Sequence, residues 1–248
     1  MSGPAAEGRT VLVTGGSRGI GKAIALRFAR EGAARVAIGY FRSDGAANET
    51  AAELAALGAE PMLVRGNIAS ERTLAQVEAL GRIDVLVHNA ATGVIRPALE
   101  TEDKHWDWTH HANARALLSL VRVAAPAMAP GACVIGVSSL GAGRVLANYT
   151  LVGTSKAALE ALVRYLGVEL APRGIRVNAV SAGVVNTGAL EHFPNREEML
   201  TMGAANPVGR IVAPDDIAGV VSFLCSPDAA MICGQTVVID GGWSLTAG

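Results

Sequence analysis

A short β-branched run, Val11 to Thr14, passes directly into Gly15-Gly16-Ser17-Arg18-Gly19-Ile20-Gly21 and then into an Ala/Leu-rich stretch that reaches Arg30. Strand, glycine-rich turn and helix in immediate succession leave few folds open. Glycines let the chain turn tightly and bring backbone close to a pyrophosphate, while the following helix start offers unpaired N–H groups and a partial positive charge. A second strand and helix follow, so the turn belongs to a βα unit in a series and not to an isolated loop.

That series continues along the chain. Val11 to Thr14, Arg35 to Tyr40, Met62 to Arg65, Ile83 to His88, Cys133 to Ser138, Arg176 to Val180 and Thr236 to Ile239 read as seven strands. Gly21 to Arg30, Gly45 to Leu57, Leu74 to Leu80, Asp103 to Met128, Ser155 to Ala171 and Asp215 to Cys225 read as helices between them. Alternation of this kind gives parallel strands joined by crossover helices, an α/β fold. At 248 residues, half of them apolar and 17% charged, the chain suits one domain with a large core. No repeat or linker divides it. The least regular stretch is Val185 to Ala213, broken by His192-Phe193-Pro194-Asn195 and Asn206-Pro207, and is expected to be a flap beside a ligand site.

Charge and cysteine content exclude several roles. A net charge of -1 with no Lys/Arg-rich stretch offers no field for nucleic acid. Cys133, Cys225 and Cys233 lack metal or redox spacing and are expected as reduced thiols. Adjacent His110 and His111 point to different helix faces, so no metal is expected and the five histidines are assigned surface or packing roles. Trp106 and Trp108 fit either the core or a subunit interface. No charged segment followed by an apolar one opens the chain and no apolar run approaches the ~20 residues of a membrane span, so a soluble, cytoplasmic protein is expected.

The cofactor choice turns on the end of the second strand, Tyr40-Phe41-Arg42-Ser43. A carboxylate there would accept from a ribose 2′-hydroxyl and repel a 2′-phosphate. Arg42 instead can pair with a phosphate, and Arg18 in the glycine loop can join it. NADPH is the expected dinucleotide, with Asp44 the one nearby feature that opposes it.

Further residues, in order, carry a resemblance: Asn89-Ala90-Ala91, Asn113, Ser138-Ser139, Ser155-Lys156-Ala157-Ala158, Arg176-Val177-Asn178-Ala179-Val180 and Asp240-Gly241-Gly242. Together with the Thr14 to Gly21 loop they make the chain resemble the short-chain dehydrogenase/reductase superfamily from about Thr10 to Leu245. The resemblance implies a doubly wound, Rossmann-type sheet with helices on both faces, hydride transfer, and a homotetramer or homodimer. It also implies that Gly15, Ser17, Arg18, Gly19, Ile20, Gly21, Arg42, Ser43, Asn67, Ile68, Asn89, Ala90, Ala91, Lys156, Gly183, Val185 and Thr187 face the cofactor.

The superfamily usually places its tyrosine four residues before the lysine. Here that position is Val152, and Tyr149 stands seven before Lys156. With Asn89 to Pro97, His105-Trp106-Asp107-Trp108-Thr109, Glu191 to Glu197 and Asn148 to Gly153, this spacing resembles the NADPH-dependent enoyl-acyl-carrier-protein reductase III group of bacterial fatty acid synthesis. On a helix of ~100° and ~1.5 Å per residue, positions four and seven before Lys156 face roughly the same way, and the shift moves the anchor about 4.5 Å along the axis. In ketone reduction the proton goes to the oxygen on the carbon that receives hydride. In an α,β-unsaturated thioester the hydride goes to the β-carbon and charge collects on a carbonyl oxygen two carbons away, so the donor must stand farther off.

Tyr149 is therefore expected to stabilise the enolate of an enoyl thioester. Lys156 is expected to bind the nicotinamide ribose and lower the tyrosine pKa, Asn113 to hold a relay water, and Ser139 to support the substrate. Arg96 and Arg196 are either contacts for an acidic carrier protein or solvated charges. Departures from the superfamily pattern are Asn67-Ile68 for an aspartate-aliphatic pair, His88 for an asparagine, and Ala182 for a proline. A 3-oxoacyl-thioester ketoreductase and a noncatalytic NADP(H)-binding sensor remain as alternatives.

Overall fold

In a computed structural model of the chain, residues 6–188, 190 and 196–246 are described. Seven parallel strands form one sheet: β1 Thr10–Thr14, β2 Arg35–Tyr40, β3 Glu60–Arg65, β4 Val85–His88, β5 Cys133–Ser139, β6 Arg176–Ala182 and β7 Thr236–Ile239. Their order is β3-β2-β1-β4-β5-β6-β7. Register keeps the strand ends level, with Thr14 opposite His88 and Ser139 opposite Ala182.

The period-two alternation of each strand sorts its side chains between two cores. Val11, Val13, Ile38 and Ile135 face helices α1 (Gly19–Arg30) and α8 (Pro214–Cys225), where Ile24, Phe28, Ile217 and Leu224 are buried. Leu12, Leu86 and Val134 face α3 (Glu71–Glu78), α5 (Ala116–Ala124) and α6 (Thr150–Leu170), meeting Val77, Leu117, Leu120, Leu159 and Val163. Helix α2 (Asp44–Ala56) buries Ala47 and Leu54 in the first core. Full burial on both faces explains the nearly continuous apolar strands. The chain winds one way from β1 and the other way from β4, which opens a crevice at the carboxyl ends of these two strands.

Three regions depart from the sequence expectations. The single helix expected over Asp103 to Met128 is α4 (Asp103–His110), a π turn (His111–Arg115) and α5, and Pro126 ends it in a 3-10 turn. Helix α6 begins at Thr150, five residues earlier than expected from Ser155. The irregular stretch contains α7 (Arg196–Ala204), and Asn206 fastens its return: its amide donates to the Gly203 and Arg210 carbonyls while its oxygen accepts from Val208 and Gly209 N–H. A parallel bridge between Val185 and Val212 closes the base of this excursion. Glu191-His192-Phe193-Pro194-Asn195 lies outside the described residues.

Candidate active site at the carboxyl edge of the sheet

The glycine loop is built for close backbone approach. Gly15 and Gly19 have φ of +66° and +54°, in the left-handed region that side chains disfavour. A Cβ on Gly21 would overlap the Gly15 carbonyl and come within 2.6 Å of Asn89 Nδ2. Asn89 Nδ2 donates to the Thr14 and Gly15 carbonyls at 3.1 Å, so the loop is held from the β4 side. Ser17 is buried and its carbonyl accepts from Thr50 Oγ1, while Ile20 packs against the first core. No side chain caps the start of α1, which leaves its first N–H groups directed at the crevice.

Beside it, Arg18 and Arg42 are exposed, and among the described residues neither pairs with a carboxylate. Arg42 lies 5.0 Å over the Phe41 ring, next to Ser43 at the start of α2. Asp44, the feature that opposed a 2′-phosphate, is held by Arg65 at 2.9 Å. Thus the local charge offered to a ligand is positive. Asn67 is exposed and its side chain accepts from Ala69 N–H, with Ile68 buried behind it. Thr187 comes within van der Waals reach of a Cβ built on Gly19, so the far wall of the excursion meets the glycine loop. Gly183 lies so close to Asp240 that its Cβ would be 2.9 Å from the aspartate Cβ, and Val185 is buried. These residues and loops fit a phosphorylated dinucleotide.

The other half of the crevice holds Tyr149, Lys156, Asn113 and Ser139. Asn148 alone among the described non-glycine residues has a left-handed φ, +60°, and its carbonyl accepts from Arg96 N–H at 3.0 Å. Asparagine tolerates that conformation, and it turns the chain so that Tyr149 sits at the cap of α6. The phenol donates to Ser139 Oγ at 3.3 Å, and its ring lies where a Gly141 Cβ would be, 2.5 Å from Cδ1. Val152 points elsewhere: it is buried, and a Cβ on Gly93 would overlap its Cγ2.

Lys156 was expected to lower the tyrosine pKa, and the structure corrects this. Its buried Nζ donates to the Val137 carbonyl at 2.7 Å, and burial pulls its own pKa down to about 8 against a partial rise from Glu160. Tyr149 is instead raised above its ordinary value by burial, with the Ser139 hydrogen bond acting the other way. The phenol is therefore a protonated donor at neutral pH.

Asn113, completely buried in the π turn, is a brace. Its oxygen accepts from Thr92 N–H at 2.8 Å, and its amide donates to the Thr92 carbonyl and to Ser155 Oγ. Both amide protons are committed, so the side chain ties the Asn89-Ala90-Ala91-Thr92 loop to α6, and the second lone pair of its oxygen is the place left for the expected relay water.

Sequence reasoning gave His88 only a packing role and passed over Glu160. His88 is fully buried between Thr14 Oγ1 (3.2 Å from Nδ1) and the Asn113 carbonyl (3.2 Å from Nε2). Thr14 Oγ1 already accepts from Asn89 and Ala90 N–H, so its own proton goes to His88 Nδ1. The ring then carries its hydrogen on Nε2 and donates it to the Asn113 carbonyl. Burial and the Lys156 charge hold its pKa down to about 3, so it stays neutral. Glu160 accepts from Ser138 Oγ at 2.6 Å one turn beyond Lys156. The one available signal for His88 was its place directly before Asn89, at the end of a buried strand. Trp106 and Trp108, half exposed, lie outside the core, and Trp106 stacks on His110 at 3.8 Å.

Comparison with known proteins agrees with this construction. The chain matches the family described as Enoyl-(Acyl carrier protein) reductase over residues 15–244. It is 34% identical to the 1-cyclohexenylcarbonyl-CoA reductase of Streptomyces collinus, covering 95% of this chain and 87% of that protein. It is 36% identical to the L-rhamnose 1-dehydrogenase (NAD(P)(+)) of a Sphingomonas species, covering 95% and 96%. A crystal structure of a short-chain dehydrogenase from Burkholderia cenocepacia in complex with NADP superimposes with a TM-score of 0.86 at 33% identity, over 96% of this chain and 98% of that one. The chain belongs to the short-chain dehydrogenase/reductase superfamily and is an oxidoreductase of that type.

Proposed function

We propose that the protein reduces the double bond of an enoyl thioester with NADPH, Tyr149 acting as donor to the thioester oxygen. The carrying observation is the placement of the phenol: Tyr149 lies against Ser139 at the site, while Val152 is sealed against Gly93.

NADPH, when bound, supplies the hydride. Gly15 to Gly21 and the start of α1 would hold its pyrophosphate, and Arg18 and Arg42 its 2′-phosphate. Cofactors of this kind in the solved relatives support that assignment. Lys156, a buried cation on the catalytic helix, is placed to hold ribose hydroxyls once its Nζ leaves the Val137 carbonyl.

Negative charge developing on the acyl oxygen is stabilised by the Tyr149 O–H, which must be protonated to serve. Burial keeps it so. A donor displaced by one helical turn from the usual position suits an oxygen removed from the carbon that accepts hydride. The name of the Streptomyces relative, which describes a conjugated alkenyl thioester, supports this substrate class. The acyl group is taken to arrive on acyl carrier protein, in fatty acid or polyketide synthesis. The active form is taken to be a homotetramer, soluble in the cytoplasm.

The second reading is oxidation or reduction at an alcohol carbon, favoured by the names of the rhamnose and hydroxysteroid dehydrogenase relatives. Steady-state NADPH consumption with crotonyl and acetoacetyl thioesters decides between them. A kcat/KM at least tenfold higher for the crotonyl compound is expected, and preference for the acetoacetyl compound overturns the enoyl assignment.

A further inference from the structure

At the opposite end of the sheet from the reaction site, two cysteines from distant parts of the chain meet. Cys133 opens β5 and Cys225 closes α8, 92 residues apart, and both are buried and free. Cys133 Sγ lies 3.9 Å from the Cys225 carbonyl. Burial in apolar surroundings normally leaves a thiol inert. Here the surroundings are cationic. Arg176 Nη2 is 3.1 Å from Cys133 Sγ, and the rest of that guanidinium is spent on the carbonyls of Leu224, Ser226 and Ala229. Arg9 Nη1 donates to the Cys225 carbonyl, and among the described residues no carboxylate pairs with either arginine.

A cavity of about 490 Å³ opens beside the pair, lined by Arg9, Arg176, Cys225 and Cys233 among others. Cys133 is fully buried and is not among the lining residues; a small oxidant entering the cavity meets Cys225 and the Arg176 guanidinium that contacts Cys133 Sγ. We propose that Cys133 and Cys225 form a peroxide-reactive dithiol, Cys133 the attacking sulfur and Cys225 the resolving one.

In the first step the Cys133 thiolate attacks a hydroperoxide. An S–O bond forms, the O–O bond breaks, and the departing oxygen takes up a proton, as water when the oxidant is hydrogen peroxide. In the second, Cys225 sulfur attacks the sulfenic acid: an S–S bond forms, the S–O bond breaks, and the hydroxyl leaves as water with the Cys225 proton. Two thiols lose two electrons and one peroxide is reduced. The two thiols influence each other's protonation more than any other neighbour does. That contact, with Arg176 and Arg9 and against burial, lowers the Cys133 pKa, while the same contact and burial raise that of Cys225 against the two arginines. This asymmetry matches the two roles. Residues Ser138 and Ser139 lie at the far end of β5, five and six steps of ~3.3 Å away, so the dithiol is separate from the reduction site.

The test exposes the full-length protein, with NADPH bound and folded by circular dichroism, to hydrogen peroxide. Free thiols are then blocked with N-ethylmaleimide under denaturing conditions, and the products are mapped by mass spectrometry. The expected product has lost two hydrogens, links the Cys133 and Cys225 peptides, leaves Cys233 alkylated, and reverts with dithiothreitol. Cys225→Ala should leave a sulfenic acid at Cys133 that dimedone traps, and Cys133→Ala should leave Cys225 unoxidised. Three fully alkylated thiols after treatment, or a bond involving Cys233, overturns the proposal. So does oxidation of Cys225 in the Cys133→Ala protein.

Discussion

Replacing Tyr149 by Phe isolates one hydroxyl. The ring's packing over Gly141 and its place at the cap of α6 are unchanged in phenylalanine, because only the aromatic carbons make those contacts. In the resting protein the loss includes one long, neutral hydrogen bond, 3.3 Å to Ser139 Oγ, worth about 0.5–1 kcal/mol. For a chain of this size that shifts the melting temperature by roughly 2–4 °C at most. In the transition state the same hydroxyl faces an oxygen acquiring charge inside a buried site, and removal of one such donor costs about 3–4 kcal/mol, or roughly 10²–10³ in kcat. NADPH affinity should stay within about twofold, since the phenol is assigned to the acyl oxygen in the transition state and not to the cofactor. The assay is steady-state reduction of a crotonyl thioester, with NADPH binding followed separately by fluorescence titration. A kcat within about threefold of wild type refutes the reasoning. So would a loss confined to NADPH affinity.

Four further outcomes are expected. Arg18→Ala and Arg42→Ala should each weaken NADPH roughly tenfold while leaving NADH within about threefold, by titration calorimetry, because each removes a charge-assisted phosphate contact. His88→Leu leaves the buried Thr14 hydroxyl proton without its acceptor and removes the side-chain donor to the Asn113 carbonyl, and should cost about 2–4 kcal/mol in urea unfolding; His88→Asn, which can accept and donate, should cost under about 1 kcal/mol. Gly141→Ala places a methyl 2.5 Å from the tyrosine ring and should lower kcat roughly tenfold with NADPH affinity intact. Lys156 has a folded pKa of about 8 against 10.5 unfolded, so burial penalises its charged form. The unfolded chain binds the extra proton between those values, and the penalty is fully present below pH 8 and relieved as pH rises toward 10.5. Without NADPH, stability relative to Lys156→Met should rise by up to about 3 kcal/mol across that window in urea titrations.

Strand positions were legible because burial on both faces writes β-branched residues in unbroken runs, as in Val85-Leu86-Val87 and Val134-Ile135. The glycine loop was legible because only glycine permits the φ at 15 and 19 and the contact at 21. The π turn was not: one inserted residue in a helix alters hydrogen bonding without altering the apolar periodicity of Ala116 to Ala124. For the same reason the sequence did not show that the turn points the Asn113 amide at Thr92 and Ser155. His88 was missed because a histidine in an apolar strand is defined by partners from β1 and the π turn, far away in sequence. The Tyr149 spacing was legible. Its cause was not, since it lies in a left-handed Asn148 and in a Val152 pressed against Gly93.

The central claim is that a phenol one turn before the usual position touches the acyl oxygen. It is tested most directly by a crystal structure of the protein with NADP and a saturated acyl thioester. The account predicts the Tyr149 hydroxyl within about 3 Å of the thioester carbonyl oxygen, with the acyl β-carbon facing the nicotinamide. A carbonyl oxygen bound by another group, with the Tyr149 hydroxyl turned away from it, contradicts the account.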